Sequence, residues 1–132
     1  GRSKEHVIFE KELKNIGASF HACTDDGSYG FNGFTPQKLE EMLNAGEKLD
    51  AILTCGPEIM MYKVAEIAKK HGVYCEVSME RYMKCGFGVC GACCVDGEGL
   101  RMCVEGPVIE GARALSWEEF GKYHRNATGQ KI

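Results

Sequence analysis

Apolar positions recur at helix and strand intervals over the first 78 residues of the chain. Phe9, Leu13 and Ile16 follow one another at helical spacing, which predicts a helix from Ser3 that ends at Gly17. The same reasoning predicts strands over residues 18–24, 51–54 and 73–77, and helices over residues 35–45 and from residue 56 to a cap at residue 72. Helices that alternate with strands over short connections are typical of a parallel β-sheet covered by helices. We therefore expect an α/β fold in this part of the chain.

The pattern changes after Ser78, where helical periodicity stops and Gly and Cys become frequent. Between Cys85 and Gly111 lie 7 of the 17 glycines and 5 of the 8 cysteines. Residues 94–104 predict a β-hairpin whose turn is formed by residues 96–99. Because this segment has too few apolar residues to fold alone, we expect a metal centre to stabilise it. We therefore divide the chain into residues 1–78 and residues 79–132.

The first of these segments corresponds to only half of a nucleotide-binding domain. Such doubly wound domains begin with a strand and a Gly-rich turn of the form G-x-G-x-x-G, and no such turn occurs here. The chain also begins with Gly1 rather than Met. We therefore expect that an upstream part is missing from this sequence.

Composition and charge exclude several classes of function. With 16 basic and 19 acidic side chains the net charge is −3, and no basic stripe is available for a nucleic-acid backbone. No apolar run approaches the roughly 18 residues of a membrane-spanning helix, and no leader of basic and then apolar residues opens the chain. Eight cysteines without a leader indicate a reducing compartment, where clustered cysteines are more often metal ligands than disulfides. We expect a cytoplasmic protein that binds neither nucleic acid nor membranes.

Four cysteines have the spacing of iron–sulfur ligands. Cys85, Cys90, Cys93 and Cys103 form the pattern C-x4-C-x2-C-x9-C, which matches the plant-type spacing for a 2Fe-2S cluster. Two ferric ions, two sulfides and four thiolates sum to a charge of about −2, which backbone N–H groups can stabilise. A loop that turns its amides inward needs positive φ angles, which explains the glycines between these ligands. We predict that the four thiolates hold a 2Fe-2S cluster.

A zinc site is the alternative to the cluster. Four thiolates also bind zinc tetrahedrally, although such sites usually pair two close C-x2-4-C knuckles. A zinc-stabilised interaction module is therefore the non-enzymatic alternative. Cys94 directly follows Cys93, and adjacent residues of an extended segment point to opposite sides, so we expect Cys94 to pack as a small apolar side chain. Cys23 and Cys75 lie in predicted strands and are expected to be buried thiols.

The residues around these cysteines resemble a known family. Residues 79–93 and the segment CVEGPV at 103–108 are similar to the C-terminal iron–sulfur segment of the electron-transfer subunit of NAD-dependent dihydroorotate dehydrogenase. Upstream, TDDGSYG at 24–30 and TCGP at 54–57 resemble the second half of that subunit's ferredoxin-reductase-like NAD domain. The resemblance covers nearly the whole chain. It implies half of a ferredoxin-reductase-like parallel-sheet NAD domain over residues 1–78 and a small 2Fe-2S cluster domain over residues 79–132.

The resemblance also implies cofactors and a partner. In that family the subunit carries FAD and the 2Fe-2S cluster, and it passes electrons from the FMN of a catalytic subunit to NAD+ in pyrimidine biosynthesis. The gap of nine residues before Cys103 is shorter than in many relatives, which implies a tighter hairpin. Because the FAD-binding barrel and the Gly-rich NAD turn are absent, we expect this chain alone to be inactive with NADH. The small subunit of an NADPH-dependent ferredoxin reductase and a hydrogenase diaphorase subunit are the alternatives.

Two further groups of residues are candidates for the NAD site. Cys55, Gly56 and Pro57 follow a predicted central strand, at the edge where open parallel sheets bind ligands, and the resemblance places Cys55 beside the nicotinamide. Asp25 and Asp26 follow the preceding strand, where the resemblance implies contact with the adenosine ribose and a carboxylate favours NAD over NADP. Each group also has a simpler interpretation. Cys55 is then a buried cysteine before a helix, and Asp25 and Asp26 are part of a turn rich in Asp and Gly.

Two predictions concern the surroundings of the cluster. Arg81 and Lys84 precede the first ligand and are candidates to offset the charge of the cluster. Trp117, Phe120 and Tyr123 recur at helical spacing, so we expect a C-terminal helix whose aromatic side chains pack in the core.

Overall fold

The chain folds into two units, residues 1–47 and residues 48–132, and the computed structural model describes every residue of both. The first unit contains helix α1 (Glu10–Asn15), strands β1 (Cys23–Thr24) and β2 (Phe31–Asn32), and helix α2 (Thr35–Asn44). The second unit contains β3 (Ala51–Cys55), α3 (Glu58–His71), β4 (Tyr74–Ser78), β5 (Val108–Glu110) and the short α4 (Gly111–Ala114). The predicted boundary after residue 78 falls inside the second unit, and the assignment of residues 1–78 and 79–132 to two domains stays a prediction.

The first unit begins less regularly than predicted. A single 3-10 turn at Lys4–His6 precedes α1, because Phe9 adopts a left-handed φ of 60° that interrupts a continuous helix. Phe9 and Ile16 are solvent-exposed, so the predicted apolar face of this helix is wrong. Gly17 ends α1 with a φ of 81°, as predicted. Of the predicted strand over residues 18–24, β1 contains the last two residues, which pair in parallel with β2.

Helix α2 follows its prediction closely. It begins at Thr35 with Pro36 in its first turn, where a missing N–H costs nothing. The side-chain oxygen Oε1 of Gln37 accepts a hydrogen bond from the backbone N–H of Phe34 at 2.8 Å and so holds the start of the helix. Leu43 is buried on the inner face.

Strands β3 and β4 of the second unit form the predicted parallel pair. They are in register from Ala51 opposite Tyr74 to Cys55 opposite Ser78, and α3 makes the crossover between them. Pro57 precedes α3 and Gly72, with a φ of 69°, ends it. The side chains that α3 buries repeat at helical spacing: Met61, Val64, Ala65 and Ala68. The expected α/β arrangement is therefore confirmed.

Strand β5 was not expected from the sequence. It pairs with β4 in antiparallel orientation, with Val77 opposite Ile109. Both side chains are buried, Val77 fully. This pairing returns the chain to the sheet directly after the cysteine-rich segment.

The predicted C-terminal helix is wrong, although its aromatic side chains pack as expected. Trp117 and Phe120 are buried, and the Phe120 ring meets Tyr62 of α3 edge to face at 5.6 Å. Consecutive turns replace the helix, because Gly121 has a φ of 73° and passes so close to α3 that an added Cβ would lie 2.7 Å from Tyr62. The longest helix of the chain is α3, with 14 residues, and no helix combines the length and apolar content needed to cross a membrane.

Candidate functional site

Residues 85–93, here called the cysteine loop, carry three of the four predicted ligands. Between them Gly86, Gly88 and Gly91 have φ angles of 75°, 81° and 70°. These are left-handed values, which residues with a Cβ rarely adopt. The prediction that these glycines adopt positive φ angles is therefore confirmed.

The turns of the cysteine loop direct backbone N–H groups at the sulfur of Cys85. The N–H groups of Cys90, Phe87 and Val89 donate to this sulfur and lower the pKa of the Cys85 thiol from 9.0 to about 6. Such donors favour the thiolate because they place partial positive charge beside it. The thiolate is the form of cysteine that binds metals.

The four candidate ligands approach one another in two pairs. The side chain of Cys90 contributes to lowering the pKa of Cys85, and the side chain of Cys93 contributes most to raising the pKa of Cys103. The contact with Cys93, together with burial, raises the pKa of Cys103, whereas the N–H of Gly88 acts against this rise. No three His, Cys, Asp or Glu side chains converge closely enough to share a single metal ion.

Cys93 and Cys94 show the reverse of the burial that the sequence predicts. Cys93 is 3% exposed and contacts Cys103, whereas Cys94 is half-buried. The alternation of an extended strand does not apply here, because the N–H of Cys94 donates to the carbonyl of Gly91 and closes a turn. The hairpin that follows is short: Cys94 pairs with Arg101 across a single antiparallel bridge.

The other three cysteines differ in their exposure. Cys23 and Cys75 are buried as predicted, and burial raises the pKa of each thiol. Cys55 is exposed at the carboxyl end of β3. The simpler interpretation of Cys55 as a buried thiol is therefore wrong.

A groove of about 650 Å³ lies at the carboxyl ends of β3 and β4. Gly56, with a φ of 149°, and Pro57 line one side of it. The remainder is lined by Glu58 and Met61 of α3, by residues 80–83, which lead into the cysteine loop, and by residues 124–127. Cys55 precedes these residues directly but does not itself line the groove. The groove therefore joins the predicted nicotinamide edge to the segment that enters the cysteine loop.

Asp25 and Asp26 lie at the carboxyl end of β1, as the sequence predicts. The side chain of Asp26 closes a turn with Ser28. Its Oδ1 accepts hydrogen bonds from the backbone N–H of Ser28 at 2.9 Å and from the hydroxyl of Ser28 at 2.6 Å. These bonds lower the pKa of Asp26. The structure thus gives Asp26 a role in the turn, while Asp25 is exposed on the same loop.

A buried ion cluster beside the cysteine loop was missed by the sequence analysis. It consists of Arg81, Glu58 and Glu119, whose side chains are 3%, 19% and 1% exposed. Arg81 donates to Oε2 of Glu58 at 2.7 Å through Nη1 and to Oε1 of Glu119 at 2.8 Å through Nε. The expectation that Arg81 offsets the charge of a metal cluster is therefore wrong, because the two carboxylates that bind Arg81 already exceed its charge.

A second ionic contact ties the hairpin turn to the C-terminal residues. Asp96 accepts hydrogen bonds from Nε and Nη2 of Arg125 at 3.0 and 2.9 Å and from the hydroxyl of Tyr123 at 3.1 Å. The hydrogen bonds from both residues lower the pKa of Asp96, and those from Arg125 have the larger effect. The turn of the hairpin is thus fixed to the segment that lines the groove.

Comparisons with known proteins match this site. A family model described as the iron–sulfur cluster binding domain of dihydroorotate dehydrogenase B matches residues 80–114. A probable dihydroorotate dehydrogenase B (NAD(+)) electron transfer subunit of Methanocaldococcus jannaschii is 53% identical over 131 residues, which cover 99% of this chain and 50% of the relative. The protein with the same description in Methanothermobacter thermautotrophicus is 40% identical, with 99% and 48% covered. The chain spans about half the length of these curated relatives.

A solved structure shares the fold. It is that of an NADH-dependent reduced ferredoxin-NADP oxidoreductase, described in connection with flavin-based electron bifurcation. It is 34% identical with a TM-score of 0.70, and the match covers 84% of this chain and 40% of that one. The predicted fold class is therefore confirmed: an α/β chain like that of a ferredoxin reductase, with an iron–sulfur cluster binding domain.

Proposed function

We propose that this chain relays electrons through a 2Fe-2S cluster, because it belongs to the family of dihydroorotate dehydrogenase B electron transfer subunits. It spans about half the length of these subunits. In this proposal the electrons come from the FMN of a dihydroorotate dehydrogenase catalytic subunit and pass through the cluster and the FAD of the complete subunit to NAD+. Oxidation of dihydroorotate to orotate releases two electrons and two protons. NAD+ takes up both electrons and one proton as hydride, and the other proton goes to solvent. Two single-electron passages through the cluster therefore serve each turnover.

The arrangement of the cysteine loop is the observation that carries this proposal. Three backbone N–H groups converge on Cys85 and a fourth, from Gly88, reaches Cys103. Such donors are what the negative charge of a cluster requires. The thiols stand as two pairs, Cys85 with Cys90 and Cys93 with Cys103, and a centre of two irons needs two thiolates for each iron.

Substitution of the cysteines tests the cluster. The protein, purified without oxygen, should be coloured and contain iron and acid-labile sulfide at about two each per chain. Serine at position 85, 90, 93 or 103 should lower both contents and bleach the visible spectrum. Cys94→Ser is the matched control and should leave them unchanged.

Two results would contradict this assignment of ligands. Stoichiometric zinc without sulfide would favour the zinc-stabilised interaction module. A coloured Cys93→Ser protein beside a colourless Cys94→Ser protein would show that the neighbouring cysteine is the ligand.

For NAD we propose Cys55, Gly56 and Pro57 on the nicotinamide side and Asp25 and Asp26 on the ribose side. The exposure of Cys55 and the groove beside Gly56 and Pro57 support the first group. The position of both aspartates directly after β1 supports the second, and a carboxylate there favours NAD over NADP. In this proposal the FAD is bound by the complete subunit. We further propose a cytoplasmic location, where cysteines stay reduced.

The ferredoxin-NADP oxidoreductase neighbour favours one alternative, an electron-transfer subunit of an NADPH-dependent ferredoxin reductase. The partner that co-purifies with the complete subunit distinguishes the two. An FMN-containing dihydroorotate dehydrogenase supports the proposal, whereas a subunit that oxidises ferredoxin would replace it with the alternative.

A further inference from the structure

Arg81 and Glu119 are the two charged residues that the chain buries. A guanidinium is costly to remove from water unless its donors are satisfied, and here they are. Besides its bonds to Glu58 and Glu119, Arg81 donates from Nη1 to the carbonyl of Glu80 at 2.7 Å. The residues that surround Arg81 give this arrangement a second use beyond stability.

The ion cluster connects the groove to the cysteine loop from both sides. Glu58 is the first residue of α3 and follows Gly56 and Pro57 directly. Arg81 lies on the segment that lines the groove and precedes Cys85 by four residues. One side chain therefore joins the two segments between which electrons must pass in the proposed function.

Glu119 extends the same connection to the hairpin. Its Oε2 accepts a hydrogen bond from the backbone N–H of Asp96 at 2.8 Å, in the turn between Cys94 and Cys103. Glu58 accepts a further bond from the N–H of Gly121 at 3.0 Å. The segments before and after the cysteine loop are thus held to α3 through one guanidinium.

We propose that Arg81 is a positioning residue that fixes the cysteine loop relative to the Gly56–Pro57 side of the groove and so sets the rate of electron transfer between them. This inference rests on the proposed function. Hydride transfer requires the flavin to lie against the nicotinamide, so the flavin must stand at this edge. In the proposed direction each transfer oxidises one ferrous ion of the cluster to ferric as one electron passes to this flavin. When NADH is the donor the same step runs in reverse, and in neither direction does an atom or proton pass through Arg81.

The planar fork of arginine is what this role needs. It binds two carboxylates in fixed directions at once, whereas the point charge of lysine cannot hold both in the same geometry. Arg81→Lys keeps the positive charge but loses the fixed geometry. It therefore distinguishes an effect of positioning from an effect of charge. Glu58→Gln is the second variant. The amide oxygen of the glutamine can still accept the hydrogen bond from Gly121, but Arg81 loses one of its two carboxylate partners. Arg113→Lys is the matched control, since Arg113 pairs with Glu98 on the surface.

The test uses the complete subunit with its FAD and catalytic partner. NADH is mixed with each protein, and the bleaching of the cluster is followed in time and divided by cluster content. We expect Arg81→Lys and Glu58→Gln to keep the cluster spectrum and full reduction by dithionite. Their rate of reduction by NADH should fall severalfold below the parent rate, because electron transfer slows steeply as the separation between flavin and cluster grows. The KM for NADH should change less than about twofold, since Cys55, Gly56 and Pro57, which are proposed to contact the nicotinamide, are not altered. Arg113→Lys should match the parent.

A purely structural role gives a different result. It lowers stability and cluster content but leaves the rate per intact cluster at the parent value, and that outcome would overturn the inference. If Arg81→Lys fails to fold, a parent-like rate per cluster in Glu58→Gln overturns it equally. Equal slowing in Arg113→Lys would overturn it as well. A parent protein with an intact cluster that NADH cannot reduce would instead refute the proposed function, and the inference would fall with it.

Discussion

Removal of Glu119 should destabilise the second unit far more than removal of a surface carboxylate. Glu119 is 1% exposed, and its carboxylate accepts from Arg81 and from the backbone N–H of Asp96. Glu119→Ala leaves the buried guanidinium with Glu58 alone and leaves the N–H of Asp96 without its acceptor. The matched control is Glu98→Ala, which breaks the ion pair with Arg113 whose side chains are 34% and 50% exposed.

The two substitutions differ in magnitude because burial differs. Glu119→Ala leaves Arg81 paired with Glu58, but Nε of the guanidinium and the N–H of Asp96 lose their acceptor, and each buried donor left without a partner costs about 1–3 kcal/mol or more. An exposed ion pair contributes about 0–1 kcal/mol, because water replaces the lost partner. At roughly 4 °C per kcal/mol for a domain of this size, Glu119→Ala should lower the Tm by more than about 10 °C and Glu98→Ala by less than about 4 °C.

Thermal unfolding followed by circular dichroism measures both variants against the parent. Cluster content is determined in each sample first, and protein of equal iron content is compared, because lost metal would itself lower stability. If Glu119→Ala unfolds within about 3 °C of Glu98→Ala, the buried ion cluster does not hold the second unit as its geometry indicates.

Two further predictions concern pH and the NAD site. The pKa of Asp96 is lowered in the folded protein below its unfolded value of about 3.9, so its contribution to stability is present above that pH and is lost as the pH falls through the folded pKa. Asp96→Asn should therefore flatten the fall in Tm with acid below about pH 4, and an unchanged slope would show that the pair with Arg125 does not contribute. Cys55→Ala in the complete complex should slow NAD+ reduction without changing the cluster spectrum or the oxidation of dihydroorotate with a dye as acceptor, because Cys55 is exposed at the end of β3. An unchanged rate with NAD+ would leave Cys55 without a role in the site.

The features that the sequence predicts well are local in the chain. The cysteine loop is visible in the spacing of its cysteines and in glycines whose positive φ angles are properties of single residues. Strands β3 and β4 and helix α3 are equally visible, because apolar periodicity and the caps at Pro57 and Gly72 lie within each element.

The features that fail depend on contacts between distant residues. Phe9, at φ 60°, interrupts a helix that periodicity alone would continue. The approach of Gly121 to Tyr62 replaces a C-terminal helix with turns, although the aromatic spacing is helical. Strand β5 has three residues and is stabilised by pairing with β4, which no local pattern reveals.

The ion cluster shows why charge near a metal site cannot be assigned from sequence neighbours. Arg81 precedes Cys85 by four residues, yet its partners Glu58 and Glu119 lie 23 and 38 residues away. One guanidinium and two carboxylates carry +1 − 2 = −1, so this group adds negative charge beside the cysteine loop rather than removing it. Backbone N–H groups directed at Cys85 and Cys103 are donors that the structure does provide for the negative charge of the proposed cluster. Those donors belong to the loop itself, so the spacing and glycine content behind them are visible in the sequence, whereas the partners of Arg81 are visible only in the structure.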